Sequence, residues 1–436
     1  MNNDNLQVEN SLSNLDINIR NFDKKFIYHP YADLNETHKS LEIVKTKGVY
    51  LYTSDGQKLI DGVSSWWACW NGYGNKDITK AMKKQLDAMS HVMFAGLTHN
   101  GACTLAKKLS KLTPGDLDYF FYSDSGSVST EIALKIAIQY QNNKEKVNFM
   151  ALKNGYHGDT LGAMSVSDWG EHHIYDRYTR KVHYFNAEIG FYDNWDKKAS
   201  LELEKFFKEN AQDTAAFILE PIMQGAGGMK LYHPNYLIKI RELCNKYDIL
   251  LICDEIATGF YRTGKMFAVE YAKIIPDIML IGKGLTAGFM TLSAVITNKK
   301  VYDKIASSDI PKIMHGPTFM ANPLACACAI ASIDALLKLD APKLVHNIEK
   351  TLKKHLEVLK QYDYVKEVRV LGAMAAIELN KPCEQLKMQE FLINKGVWLR
   401  PFGNIVYIYP PFIISKKELK QVIDAVISLI ENYNNL

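Results

Sequence analysis

The chain contains no apolar run near the roughly 18 residues that a membrane-crossing helix needs. It lacks an excess of either charge: 52 Lys plus Arg against 48 Asp plus Glu leaves a formal +4 over 436 residues, too little for its length to mark a nucleic-acid binder. Its first twenty residues, MNNDNLQVENSLSNLDINIR, are polar and lack the apolar centre of a secretory signal. There is no HExxH, no zinc-finger spacing and no Walker lysine loop, so no metal site is expected. Cysteine is sparse and odd in number. Cys69, Cys103, Cys244, Cys253, Cys326, Cys328 and Cys383 form no CxxC pair and lie mostly in apolar surroundings. They read as reduced core residues of a cytoplasmic protein. What remains is ordinary globular composition, 47% hydrophobic and 23% charged, which excludes collagen, coiled coil and low-complexity scaffolds.

Residues 1–25 are asparagine-rich and are expected to fray. A hairpin is expected over 48–62, around Ser54-Asp55-Gly56. Short apolar runs then recur at 118–122, 147–152, 215–219, 249–253 and 277–281. Helical periodicity fills 78–86, 99–112, 128–142 and 235–247. Strands alternating with helices predict a mostly parallel α/β sheet, and a strand buried on both faces needs no polar alternation. Past residue 320 the pattern changes. Helices are expected near 322–338, 342–361 and 416–432, with strands near 366–371, 373–379 and 405–409, which suggests a smaller α+β domain.

Four constellations carry candidate chemistry. In FFYSDSGSVSTEIALKIAIQ (120–139) a strand runs into Gly126 and Ser127 at a helix start. Free N–H groups and the helix dipole make such a start a phosphate cup, or simply a capped terminus. In ILLICDEIATGFYRTGK (249–265) Asp254 and Glu255 end an apolar strand, where open α/β sheets bind ligands. A carboxylate there needs a partner: a buried cation, a helix start or Arg262. Lys283 follows another apolar strand between Gly282 and Gly284. Burial lowers a lysine's pKa and frees a nucleophilic amine, although most lysines only snorkel to water. Tyr156 and His157 follow a strand in the loop 153–165, as a ring-stacking wall or as packed loop residues. Weaker signals are the paired Trp66 and Trp67, the loop Gly316-Pro317-Thr318, and Arg400 at a strand end. Arg400 could clamp a carboxylate or make a surface ion pair.

One ligand unites the four: pyridoxal 5′-phosphate, which needs an anion cup, a carboxylate for its ring nitrogen, an amine for its aldehyde and a flat wall for its ring. At these residues the sequence resembles the class III pyridoxal-phosphate aminotransferases of fold type I. The resemblance is carried by Asp254-Glu255 with Gly259 and RTG (262–264), Lys283 twenty-nine residues on, HPY (29–31), DGVSSWWACWNGY (61–73), MSHVMFAGLTH (89–99), SDSGSV (123–128), NGYHGDT (154–160), MHGPTFMANPLAC (314–326) and GVWLRPFG (396–403). These strings span residues 29 to 403. Three departures stand out: Tyr261 where the family's GFGRTG has glycine, Tyr28 where tryptophan is common before HPY, and TAG after Leu285 where TGG is common.

The resemblance implies a large cofactor-binding α/β domain over 71–325, a small α+β domain over 326–436, and an N-terminal segment, 1–70, that joins the small domain and the site. It implies catalytic roles for Lys283, Asp254 and Tyr31. Cofactor contacts would come from Gly126, Ser127, Tyr156, Asp254 and Lys283, with Pro317 and Thr318 reaching over from a second subunit of a homodimer. Tyr31, Trp66, Tyr156, Asp159, Lys283, Gly316 and Arg400 would line the substrate pocket. The implied reaction moves an amino group from S-adenosylmethionine to 8-amino-7-oxononanoate. Lysine or another ω-amine is the alternative donor. Other readings are a general ω-amino acid or diamine transaminase, a nucleotide binder prompted by the glycine-rich QGAGGM (224–229), and a catalytically dead relative. The nucleotide reading lacks the GxGxxG spacing, and a dead relative would have lost Lys283 or Asp254.

Overall fold

The protein is described from a computed structural model over residues 18–34, 40–168, 170–185, 195 and 197–435. The expected fraying of 1–25 lies mostly outside these residues, and over 18–25, which are described, the expectation fails: Ile19–Phe26 form a helix whose start is capped by the Asn18 side chain.

Strands β1 (Ile43–Lys47), β2 (Tyr50–Thr53) and β3 (Lys58–Asp61) form an antiparallel ribbon. The turn at Ser54–Gly56 makes β2–β3 the expected hairpin, with Gly56 at φ +86 where a side chain would be strained. The strand before it, β1, carries three polar residues in five and was not expected.

The central sheet has seven strands. They are β4 (Leu117–Ser123), β5 (Asn148–Leu152), β6 (Val182–Phe185), β7 (Thr214–Leu219), β8 (Leu250–Asp254), β9 (Ile278–Ile281) and β10 (Ser293–Asn298). Their spatial order is β4-β10-β9-β8-β7-β5-β6. β9, β8, β7, β5 and β6 run parallel, whereas β10 runs antiparallel to both neighbours. All residues of β7, β8 and β9 are buried, as double-sided cover by helices requires. The helices around it are α1 (Lys76–Ala88), which packs against the later helix Pro323–Lys338, and the covering helices α2 (Asn100–Leu109), α3 (Gly126–Gln141), α4 (Lys197–Asn210) and α5 (Pro234–Tyr247). Helix α3 buries Ile132, Ala133, Ile136 and Ala137 against the sheet. The reversed strand β10 was the main element not foreseen, along with β6 at one edge.

The C-terminal part begins with α6 (Pro323–Lys338) and α7 (Ala341–Leu356). A three-stranded antiparallel sheet of β11 (Val365–Leu371), β12 (Met374–Leu379) and a strand at Ile405–Ile408 follows. Between these strands lie α8 (Gln385–Asn394) and β13 (Val397–Trp398), so the third strand is β14. The chain closes with α9 (Lys416–Glu431), whose start is a reciprocal capping box of Ser415 and Glu418. β13 leaves this part to pair in parallel with β3, setting Trp398 opposite Asp61. That pairing joins the N-terminal ribbon to the C-terminal part.

Candidate active site

The expected site residues are delivered by the carboxyl edge of the central sheet. β4 ends at Ser123 and feeds α3 through Ser125, whose hydroxyl caps the Val128 N–H at 3.3 Å. The first N–H groups of a helix have no intrahelical acceptor, and Gly126 and Ser127, which open α3, line the cavity wall. A Cβ on Gly158 would fall 2.1 Å from Ser127 Oγ, so only glycine lets the two loops meet. Three buried hydroxyls tie this corner together. Ser123 and Ser129 are 2.7 Å apart, Ser129 donates to Ser293 of β10 at 2.8 Å, and Ser293 donates to the Ile281 carbonyl of β9 at 2.5 Å.

Asp254 ends β8 and is 3% exposed. Its Oδ1 accepts from the Ile256 N–H at 3.1 Å and its Oδ2 meets His157 Nδ1 at 2.8 Å. Arg262, a partner the sequence left open, goes elsewhere. Its guanidinium donates to the carbonyls of Ala373 and Pro410 and lies over the rings of Tyr409 and Phe412. Burial lowers its pKa to about 10. Glu255 is structural: it accepts from the Thr258 hydroxyl and the Val269 N–H.

Lys283 follows β9 with a left-handed φ of +39. Burial pushes its ammonium pKa down, opposed by the negative charges of Asp254, Glu220 and Asp159. Its Nζ sits 5.1 Å from the centre of the Trp67 ring. Lys283, Asp254, Gly126, Ser127, Tyr156, His157 and Trp67 all line one cavity of about 290 Å³.

A second group stands beside this cavity, linked to it by the interaction of Tyr31 with Tyr156, and Tyr31 and Arg400 line a separate cavity of about 910 Å³. Tyr31 donates to Asp159 Oδ2 at 2.6 Å, and its ring meets Trp66 edge-on at 6.2 Å. The Arg400 guanidinium lies 5.0 Å from the Trp66 ring centre. Trp66 and Trp67 belong to a left-handed run: Ser64, Ser65, Trp66 and Trp67 have φ of 50, 46, 64 and 78. Such a conformation costs roughly 1–2 kcal/mol per non-glycine residue. The two rings part as expected, with Trp67 buried and Trp66 exposed. Gly316, Pro317 and Thr318 do not line this chain's own cavity.

One site residue escaped the sequence reading. Glu220 follows the all-apolar β7, lines the cavity, and accepts from the N–H groups of Tyr156 (3.1 Å) and Gly225 (2.9 Å). Burial raises its pKa to about 7. A carboxylate ending an apolar strand is the signal that flagged Asp254, and it was present here too.

The residues fit pyridoxal phosphate on this structure's own terms. The capped helix start offers N–H groups, Gly126 and Gly158 leave room that a Cβ would fill against Ile256 and Ser127, and a buried carboxylate and an amine share one cavity. His157 Nε2 is buried without a hydrogen-bond partner beside them.

Residues 31–430 match the aminotransferase class-III family. The chain belongs to that family. An adenosylmethionine-8-amino-7-oxononanoate aminotransferase of Buchnera aphidicola subsp. Acyrthosiphon pisum is 47% identical over 93% of this chain and 96% of that protein. The Saccharomyces cerevisiae protein of that name is 40% identical over 95% and 96%. Among solved class-III aminotransferase-like structures, one of an enzyme so named from Methanocaldococcus jannaschii has a TM-score of 0.90 at 33% identity, covering 95% of this chain and 98% of that one. A PLP-bound amine transaminase from an uncultivated Pseudomonas species has a TM-score of 0.88 at 30% identity, over 94% and 99%. The fold expected from the sequence, a fold type I transferase with a large mostly parallel sheet, is the fold observed.

Proposed function

We propose that this class-III aminotransferase transfers an amino group from S-adenosylmethionine to 8-amino-7-oxononanoate, giving 7,8-diaminononanoate, with pyridoxal phosphate as cofactor. The observation that carries the chemistry is the convergence of Lys283 and Asp254 on one cavity beside the start of α3. The acceptor and donor rest on the names of the relatives and on the Trp66–Arg400 and Tyr31–Asp159 pairs beside the cavity.

When bound, the cofactor supplies an electron sink for the carbon that bears the migrating nitrogen. Gly126 and Ser127 would hold its phosphate, Tyr156 its ring face and Asp254 its ring nitrogen. The remaining work belongs to the protein. Asp254 presents its carboxyl group deep in the cavity, oriented by the Ile256 N–H and by His157. Lys283 has its amine made more available by burial, so Nζ accepts and returns a proton at the substrate carbon. Arg400 binds the acceptor's carboxylate against the Trp66 ring, and Tyr31 with Asp159 positions the amine-bearing end. The faces of Trp66, Trp67, Tyr31 and Tyr156 suit a sulfonium cation, at about 0.5–2 kcal/mol per contact.

The assembly belongs to this proposal. The chain would act as a homodimer in the cytoplasm, with Pro317 and Thr318 of a second copy completing the phosphate site. Gly316 beside them would line the substrate pocket. Met93, Leu97, Met314 and Phe319 are exposed on the two flanking segments, and apolar surface of that kind favours a partner. All seven cysteines are free, which suits a reducing compartment. The division into 1–70, 71–325 and 326–436 belongs to the same proposal, supported by the N-terminal ribbon, the central sheet and the C-terminal sheet. The deciding experiment mixes purified holoenzyme with 8-amino-7-oxononanoate and, separately, S-adenosylmethionine or lysine. Mass spectrometry should show 7,8-diaminononanoate with S-adenosylmethionine; no diamine with either donor overturns the assignment.

A further inference from the structure

Asp61 has no role in the chemistry described above, yet it is fully buried at the end of β3. Its carboxylate is spent on one short stretch of backbone. Oδ1 accepts from the Val63 N–H at 2.9 Å, and Oδ2 accepts from the Ser65 N–H at 2.7 Å and the Tyr73 hydroxyl at 2.5 Å. Those N–H groups open the left-handed run Ser64–Trp67. A left-handed run of non-glycine residues persists only where its surroundings over-determine it. Asp61 supplies that constraint from one side, and the Ser64 hydroxyl, donating to the Tyr409 carbonyl at 2.7 Å, supplies it from the other.

The run has a directional consequence. It turns Trp67 inward, to within 5.1 Å of Lys283 Nζ, and leaves Trp66 facing out, stacked with Arg400 at 5.0 Å. Strand pairing gives the register: Asp61 lies opposite Trp398, two residues before Arg400, and Gly62 N–H donates to the Trp398 carbonyl at 3.0 Å. Turn and arginine are therefore fixed on neighbouring strands. We infer that Asp61, with the Tyr73 hydroxyl, is the positioning residue that holds Trp66 over Arg400 and so sets the affinity for the acceptor's carboxylate-bearing end. Asp61 touches neither substrate nor cofactor and acts only through the turn. The inference rests on the proposed function in one respect, that Trp66 and Arg400 face the acceptor.

The test is a double-mutant cycle on holoenzyme with Asp61→Asn, Trp66→Ala and their combination, reading KM, kcat and the cofactor's absorbance. Asp61→Asn should raise KM for the acceptor about tenfold, with kcat and cofactor absorbance changed less than about threefold, because the lost contact orders binding and not the chemical step. In the Trp66→Ala background the same substitution should change KM by less than about twofold, since coupled residues are not additive. An unchanged KM in Asp61→Asn, or the full rise persisting without Trp66, overturns the inference. Should Asp61→Asn fail to fold, Tyr73→Phe is run through the same cycle. A smaller KM rise that vanishes in the Trp66→Ala background supports the inference; no rise, or one that persists there, overturns it. The wild type is assayed first on an acceptor panel. A wrong acceptor assignment shows there, and the cycle is then run on the acceptor actually used.

Discussion

Glu220 holds its carboxyl between two backbone N–H donors while burial pushes its pKa to about 7. Glu255 is pushed to about 7 for the same reason. A carboxylic acid whose folded pKa lies above its unfolded 4.5 is penalised for ionising in the native state. Stability should therefore decline as pH rises from about 4.5 to about 7 and level off above that, by roughly 3 kcal/mol per group. Glu220→Gln should remove about half of the combined slope, as read by urea unfolding at pH 5, 6 and 7. Lys283→Ala should lower transamination by at least about 10³-fold, the scale of losing a positioned proton carrier, with keto-product formation as the measure. Arg400→Ala should raise KM for the acceptor by about 10–100-fold, since a hydrogen bond to a charged group is worth about 1.5–3 kcal/mol. Lys283, Asp254 and the Trp pair were legible because each interrupts or ends an apolar run. The partner of Asp254 was not: His157 lies 97 residues away, and only the fold brings Nδ1 to Oδ2. Tyr261, a departure from the GFGRTG form that the resemblance implies, adopts φ +65, so this chain places a strained tyrosine in a conformation that favours glycine.

Whole elements were easier to foresee than their neighbours in space. The apolar runs became β4, β5, β7, β8 and β9 because burial on both faces leaves a continuous hydrophobic string. β10 also has that composition, SAVITN, but follows β9 after a short glycine-bearing connection with no helix long enough to signal a crossover. Its reversed direction is invisible in a pattern of period two. The glycine-rich QGAGGM does not open a helix: it connects two short antiparallel strands, Met223–Gln224 and Lys230–Leu231. A Cβ on Gly227 would lie 1.9 Å from the Asn154 carbonyl oxygen, so the glycines serve close packing against the loop that carries Tyr156. The same logic predicts the effect of Gly158→Ala. Its methyl would strike Ser127 and displace the start of α3. Pyridoxal phosphate affinity, read by absorbance titration, should fall at least about tenfold while the far-ultraviolet circular dichroism stays unchanged, because a tight contact is felt locally.

Across the molecule, the N-terminal ribbon and the C-terminal part share the cavity that Tyr31 and Arg400 line, while the carboxyl edge of the central sheet lines the one that holds Lys283 and Asp254. The sequence placed these regions in order but could not show that β13 crosses back to pair with β3, since a two-residue strand carries no pattern of its own. If the proposed dimer shares its sites, inactive Lys283→Ala subunits mixed with Thr318→Asp subunits, which place a like charge beside the phosphate, should recover up to about a quarter of wild-type activity after dissociation and reassociation, because one site of each mixed dimer is intact. No recovery, with mixed dimers demonstrated by mass, would place Thr318 in its own subunit's site, and full activity of the Thr318→Asp protein alone would place it in none.

The chain of serine hydroxyls from Ser123 through Ser129 to Ser293 and on to Ile281 works as a caliper. One jaw is the strand that leads to the anion cradle; the other leads to the amine. With the jaws joined by three hydrogen bonds, the spacing of cradle and amine belongs to the protein's own framework.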